Sequence, residues 1–131
     1  MAITHTLTRA WGLGSSRIEK IAAVPAGAEY NIDETIGAAA SDAAVACALD
    51  VSQIKSLFIV ADAAMTLETN DGGAPVNTIT LQANIPFLWI VGDAPLRDTA
   101  GGAITTDITG LFVTSAAGGL LQIRALVDPT V

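Results

Sequence analysis

The stretch from Ser56 to Val91 constrains the fold of this chain more than any other part. It begins and ends with short apolar runs, and apolar and polar residues alternate within Met65–Thr69 and Thr78–Gln82. A period of two places successive side chains on opposite faces of a β-strand. Between the alternating segments lies Asn70–Pro75, which contains Asp-Gly-Gly. We therefore predict consecutive strands, the two alternating ones paired as a hairpin whose glycines supply positive φ angles.

Short segments with the same alternation, separated by turn residues, recur along the rest of the chain. They are Ala2–Trp11, Glu29–Ile36, Thr106–Thr114 and Leu120–Asp128. In the last of these, Leu121, Ile123, Ala125 and Val127 are predicted to face inward. Because the spacing of the strands is short and no crossover helix separates any pair, an antiparallel arrangement is favoured.

For two segments the sequence pattern does not decide between helix and strand. Ser15–Val24 fits a helical stripe as well as alternation, and its position between strands favours a strand. Alanine favours helix in Ala43–Leu49, but we predict a strand of small residues packed against another layer. Pro25–Gly27 is interpreted as a turn, and Gly37–Asp42 and Gly92–Ala103 as loops, the last being a place where contacts with other molecules concentrate.

These patterns predict an all-β protein, a single-domain antiparallel β-sandwich or jelly-roll-like barrel of about eight strands. Residues 1–24 are predicted to form an N-terminal strand and an arm for oligomerisation or lattice contact, because glycines join a polar-edged strand to the ambiguous segment. Residues 25–131 are predicted to form the sandwich domain. Trp11 ends the first strand, where an aromatic side chain could anchor a neighbouring subunit.

The composition limits the classes of partner. Of 131 residues, 51% are hydrophobic and 15% charged, which excludes a disordered chain. Alanine filling undemanding positions accounts for part of this apolar excess, and burial of apolar surface between copies of the chain is the second reading. The formal charge of −7 argues against direct binding to nucleic acid. Apolar runs are too short for a membrane span and no signal peptide is evident, so we predict a soluble product of the cytoplasm in which it is made.

Few side chains are available for catalysis. The sequence has one histidine, His5, and one cysteine, Cys47, and neither lies in a context that would activate a thiol. Cys47 lies in an apolar run and is predicted to be a buried structural thiol. Zinc needs several nitrogen or sulfur ligands. We therefore predict no enzymatic activity, no catalytic or cofactor-binding residues and no metal site.

Two possible binding sites have simpler structural explanations. Asn70, Asp71 and Asn77 carry oxygen atoms that could bind calcium, but a turn needs the same residues and the calcium-loop spacing is missing. Most aromatic residues belong to apolar runs and are predicted to pack in the core. A carbohydrate- or receptor-binding module would instead expose an aromatic pair, for which Trp11 with Tyr30 is the candidate.

The segment from Leu57 to Val131 resembles small virion structural proteins of tailed bacteriophages. The similarity lies in the order of SLFIVADAAMTLETN, a glycine turn, TITLQAN running into PFLWIVGDAPL, and DITGLFVTSAAGGLLQIRALVDPTV at the end. The chain is most similar to head-decoration (cement) proteins, which oligomerise on the outer capsid and clamp adjacent capsomers. Tail and neck components share similar small β domains.

This resemblance implies a non-enzymatic capsid decoration protein located on the virion. Its partners would be other copies of itself, as a homotrimer, and the lattice of the major capsid protein. The alternative is a structural module of the tail or neck, or a β module that binds carbohydrate or a receptor.

Overall fold

The structure, a computed structural model, describes residues 3–13 and 15–129, with Trp11 and Leu13 described by their backbones. The described residues form ten strands and one short 3-10 turn at Val51–Gln53. The strands are β1 (Ile3–Leu13), β2 (Ser16–Ala26), β3 (Ala28–Ile36), β4 (Ala40–Val45), β5 (Ile54–Ala61), β6 (Met65–Thr69), β7 (Thr78–Leu81), β8 (Phe87–Ile90), β9 (Leu111–Ser115) and β10 (Gly119–Val127). The predicted all-β class is confirmed.

Two four-stranded antiparallel sheets form a β-sandwich. Sheet 1 has the strand order β3-β10-β5-β8 and sheet 2 the order β4-β9-β6-β7. Alternate residues of both sheets face each other in one apolar core, whose fully buried members include Leu57, Leu67, Ile79, Val113 and Leu121. Strands β1 and β2 pair only with each other and form an N-terminal hairpin outside sheet 1.

The hairpin predicted at Asn70–Pro75 is confirmed, since β6 pairs with β7 from Met65 opposite Leu81 to Glu68 opposite Thr78. The expected role of the glycines is wrong. Asn70 adopts the left-handed conformation (φ 70°), whereas Gly72 and Gly73 do not. An asparagine tolerates this region because its short polar side chain bonds locally.

The strand predicted over Ser15–Val24 is confirmed as β2, which covers Ser16–Ala26, but three other boundaries differ more. β4 covers Ala40–Val45, so the predicted strand Ala43–Leu49 is wrong beyond Val45 and the predicted loop Gly37–Asp42 ends earlier. Cys47 and Leu49 are still buried, because the chain leaves sheet 2 and crosses the core. β9 begins at Leu111 instead of Thr106.

The turn expected at Pro25–Gly27 is also wrong. Pro25 is extended within β2 and pairs with Thr4. Proline is compatible with this place because the hairpin has only two strands, and its missing N–H faces the open edge. The chain bends at Gly27, whose N–H donates to the carbonyl of Val127 at 3.2 Å.

The chain between β9 and β10 contains Gly118, a position at which the backbone requires glycine. Gly118 has φ 71°, and a Cβ there would lie 2.6 Å from backbone atoms of the neighbouring Ile36–Ala38 segment. A larger residue would meet both strain and a backbone clash. This connection brings β10 between β3 and β5, where it forms the centre of sheet 1.

Candidate interaction surface

The described part of the chain contains no group of three His, Cys, Asp or Glu side chains close enough to hold a metal ion. His5 and Cys47 are not brought together, because His5 lies over the outer face of sheet 1 and Cys47 in the core between the sheets. Burial raises the pKa of the Cys47 thiol to about 11. A thiol with such a pKa is a weak source of thiolate at neutral pH.

The three residues considered as calcium ligands hold loops together. Asn70 accepts hydrogen bonds from the backbone and the hydroxyl of Thr109 at 2.7 and 3.1 Å. Asp71 accepts from the N–H groups of Gly73 and Ala74 within its own turn. Asn77 closes the same hairpin, since its backbone N–H donates to the hydroxyl of Thr69 at 2.9 Å, and its Nδ2 donates to Asp98 at 2.9 Å.

Asp98 organises the predicted loop Gly92–Ala103. Its Oδ1 accepts from the N–H groups of Ala100 and Gly102 at 3.0 and 2.8 Å, while Oδ2 accepts from Asn77. These hydrogen bonds, above all the one from Asn77, hold the pKa of Asp98 below its ordinary value. These hydrogen bonds therefore fix the conformation of the loop against the sandwich.

The same loop covers the outer edge of sheet 2. The hydroxyl of Thr99 accepts from the N–H of Thr80 at 2.8 Å and donates to the carbonyl of Thr78 at 3.2 Å. Backbone groups of the edge strand β7 thus have partners in the loop, which protects the edge against pairing with another chain.

We expect acid to weaken the protein partly through Asp98. Because its pKa is lower in the folded than in the unfolded chain, Asp98 contributes stability above the ordinary value of 3.8, and this contribution is lost as the pH falls through the lower folded value. Urea unfolding above and below pH 3.8 measures the loss. Asp98→Asn should show a smaller acid-induced decrease in the free energy of unfolding than the native protein. An equal decrease in both would contradict this role.

The N-terminal hairpin rests on sheet 1 through one face of its base. Opposed residues in an antiparallel pair share a face, so the pairs Ile3–Ala26 and Leu7–Ala22 belong to the same side as His5 and Val24. Together with Ile90, Leu88 and Leu126, the apolar members of this side form a second cluster on the outer face of sheet 1. The base therefore has a small apolar core of its own.

Polar contacts flank that cluster. Nδ1 of His5 lies 3.3 Å from the hydroxyl of Ser56, and its Nε2 lies 3.5 Å from a carboxylate oxygen of Glu29. Farther along the hairpin, Arg9 donates to Asp93 at 2.7 Å, just beyond the end of β8. This bond from Arg9 is the largest cause of the lowered pKa of Asp93, whose carboxylate also accepts from the N–H of Ile90.

Beyond the Arg9–Lys20 pair, the hairpin loses its support. We call residues 10–13 and 15–20 the hairpin tip. Every described side chain from Ser15 to Ile21 is exposed, and both Ile18 and Ile21 are 62% exposed. Arg17 forms an ion pair with Glu19 inside the hairpin itself. The tip thus extends past the edge strand β8 as a two-stranded arm.

Replacing Arg9 by alanine should loosen the hairpin without unfolding the sandwich. An exposed ion pair contributes about 0.2–1 kcal/mol, so amide exchange in β1 and β2 should accelerate by up to about fivefold. Hydrogen exchange followed by mass spectrometry measures this change. Arg17→Ala is the matched control, because its ion partner lies within the hairpin. Equal acceleration by both variants would show that Arg9 does not fasten the hairpin to Asp93.

The aromatic pair considered for carbohydrate binding is divided between two surfaces. Tyr30 is exposed on β3, and Trp11 pairs through its backbone with Ile18 in the tip, past the opposite edge strand β8 of sheet 1. The predicted exposure of the Trp11 side chain lies outside the described residues. The two positions do not form one platform.

Sequence reasoning placed an arm at the N-terminus but missed the surface on which its base rests. Leu126 is fully buried although it faces away from the sandwich core. The available signal was the run Ala125-Leu126-Val127, which breaks the alternation of β10. An apolar run of this kind indicates a strand covered on both faces.

Comparison with protein-family models, curated proteins and solved structures finds no match to this chain in any of the three. Across residues 3–13 and 15–129, no helix has the length and apolar character needed to cross a membrane.

Proposed function

We propose that this chain is a non-enzymatic structural protein of a virus particle, a decoration (cement) protein that oligomerises on the phage head and stabilises contacts between capsomers. The observation that carries the proposal is the exposed N-terminal hairpin, which leaves a closed β-sandwich and continues beyond the surface that supports its base. An arm of this shape is suited to reach a neighbouring molecule.

The remainder of the described surface agrees with a passive role. Of the side chains considered for catalysis or metal binding, Cys47 is buried, and Asn70 and Asp71 accept hydrogen bonds that hold loops. The edge of β7 is covered by the loop that contains Thr99, so sheet 2 is not open to uncontrolled strand addition at that side. Repetition of modest contacts over a lattice would give strong attachment through avidity.

Immunogold electron microscopy tests the location. Antibodies raised against the recombinant protein are applied to particles purified from cultures in which the gene is expressed, and mass spectrometry of the same particles counts copies relative to the major capsid protein. We expect gold over the outer surface of the head and many copies per particle. A matched preparation from a strain in which the gene is deleted should remain unlabelled.

Other labelling patterns would contradict the proposal in distinct ways. Gold confined to the tail or neck, with few copies per particle, would replace the head assignment by the tail or neck alternative. Absence of the protein from purified particles would remove the virion assignment altogether.

A further inference from the structure

We infer that the hairpin tip of one copy binds the outer face of sheet 1 on a second copy of this chain. This inference deepens the proposed function, on which it rests, because it names the partner and the contact surface of the arm. Three features support this contact: the distribution of charge, the continuity of the hairpin face, and an apolar strip left uncovered beside the hairpin base.

Charge is divided unequally between arm and sandwich. Residues 3–26 contain three basic residues, Arg9, Arg17 and Lys20, against the single acid Glu19, a net charge of +2. Residues 27–131 contain three basic and twelve acidic residues, a net charge of −9. The arm therefore complements the sandwich electrostatically, and complementary charge promotes association and fixes orientation.

The face that supports the hairpin base continues into the tip. Ile18 and Lys20 alternate in register with Ala22 and Val24, which pack on sheet 1, yet Ile18 is exposed because no part of its own sandwich lies beneath it. Ile21 has the same exposure but belongs to the opposite face, with Thr8. The tip thus presents an apolar residue and a cation on the side already built for contact.

A receiving surface lies on the outer face of sheet 1, next to the hairpin base. We call it the outer strip: the half-buried Phe58 and Val60 together with the exposed Leu120. The carboxylate of Asp62 borders the strip beside Leu120, whose N–H it accepts at 2.8 Å. On the other side, Arg124 lies opposite Phe58 and is already paired with Asp33.

A groove of about 310 Å³ continues from Phe58 to Thr6 and Leu7 of β1. An apolar strip bordered by Asp62 matches a tip that presents Ile18 and Lys20 on one face. The tip cannot reach its own outer strip, because Arg9 is held at Asp93 beyond the other edge of the sheet. A second copy supplies the strip. A head-to-tail contact of this kind forms a closed ring when the rotation between neighbouring copies divides evenly into a full turn.

Sedimentation velocity of four single variants tests the contact. Ile18→Asp on the tip and Leu120→Asp on the strip should each raise the dissociation constant of self-association about a hundredfold, since an unpaired carboxylate would enter an apolar contact. Ile21→Asp is the matched control and should associate as the native protein does. Asp62→Lys is a second strip variant, which carries the test if thermal melting shows Leu120→Asp to be misfolded.

Mixing two defective variants gives the decisive result. Ile18→Asp retains an intact strip and Leu120→Asp an intact tip, so an equimolar mixture should form one-to-one dimers while each variant alone stays monomeric. If Leu120→Asp is misfolded, Asp62→Lys replaces it in the mixture. A mixture that stays monomeric, strip variants that associate normally, or a native protein that is monomeric up to its solubility limit would each overturn the inference.

The outcomes for the contact and for the proposed function are separable. A native protein that binds phage heads as a monomer would contradict the contact between copies but not the assignment to the virion. Dimers in the mixture of variants, together with absence of the protein from purified particles, would support the contact and contradict the assignment to the virion.

Discussion

Replacing Leu126 by alanine is expected to lower the free energy of unfolding by about 2–5 kcal/mol, the range for truncating a buried leucine. Leu126 is fully buried, although it projects from β10 away from the core between the sheets. Its burial depends on Val24 and Ala26 of the hairpin and on Ile90 of β8. The substitution should therefore leave a cavity between hairpin and sheet.

Leu120→Ala is the matched control, because Leu120 lies on the same face of the same strand and is 37% exposed. It should change the free energy of unfolding by less than about 0.5 kcal/mol. Urea unfolding measures both variants, and hydrogen exchange should show loss of protection in β1 and β2 for Leu126→Ala alone. Similar small effects of the two substitutions would mean that the hairpin does not rest on this sheet in solution.

Replacing Leu67 by alanine is expected to cost a similar amount, about 2–5 kcal/mol, with a different consequence. Leu67 is fully buried in β6, opposite Ile79 of β7 and Val113 of β9, which are themselves at most 1% exposed. Close-packed neighbours on both sides leave little freedom to collapse into the cavity. The whole sandwich should lose stability, including the hairpin that depends on it.

Thr66→Ala is the control for this second substitution, because Thr66 is the preceding residue on β6 and faces the opposite, partly solvated side. Thermal unfolding should show a decrease in Tm of several degrees for Leu67→Ala and little change for Thr66→Ala. Leu126→Ala should reduce the protection of amides in the hairpin alone, whereas Leu67→Ala should reduce it throughout the protein. This difference would show experimentally that the two apolar clusters are distinct. Equal effects of Leu67→Ala and Thr66→Ala would contradict the assigned core.

Most strands could be predicted from the sequence because alternation is a local property. Met65–Thr69 is predicted and observed with the same bounds, and Leu121, Ile123 and Ala125 face the core as their spacing indicates. The boundaries that failed have tertiary causes. Leu49, for example, is buried by crossing the core and pairing with Ile108, and not by remaining in a strand.

The candidate surface was only half predictable. Glycines and a polar-edged strand indicated an N-terminal arm. The sequence also shows six basic residues, but it does not show that three of them lie in one hairpin, because that follows from the pairing of β1 with β2 up to Ala26. The outer strip has no signature in sequence. Phe58 and Val60 alternate with core residues and resemble any half-solvated positions until the hairpin is seen to stop short of them.

The sequence by itself determined that the chain is built of strands, which side of each strand is apolar and how strongly acidic the whole is, because these properties depend on neighbours a few residues away. The tertiary structure alone decided the strand order within the two sheets, the burial of Leu126 beneath the hairpin and the exposure of Ile18 beyond it. These features depend on pairings between distant parts of the chain. A residue on the outer face of one layer is buried only if another layer packs on it, and its neighbours in sequence do not determine that.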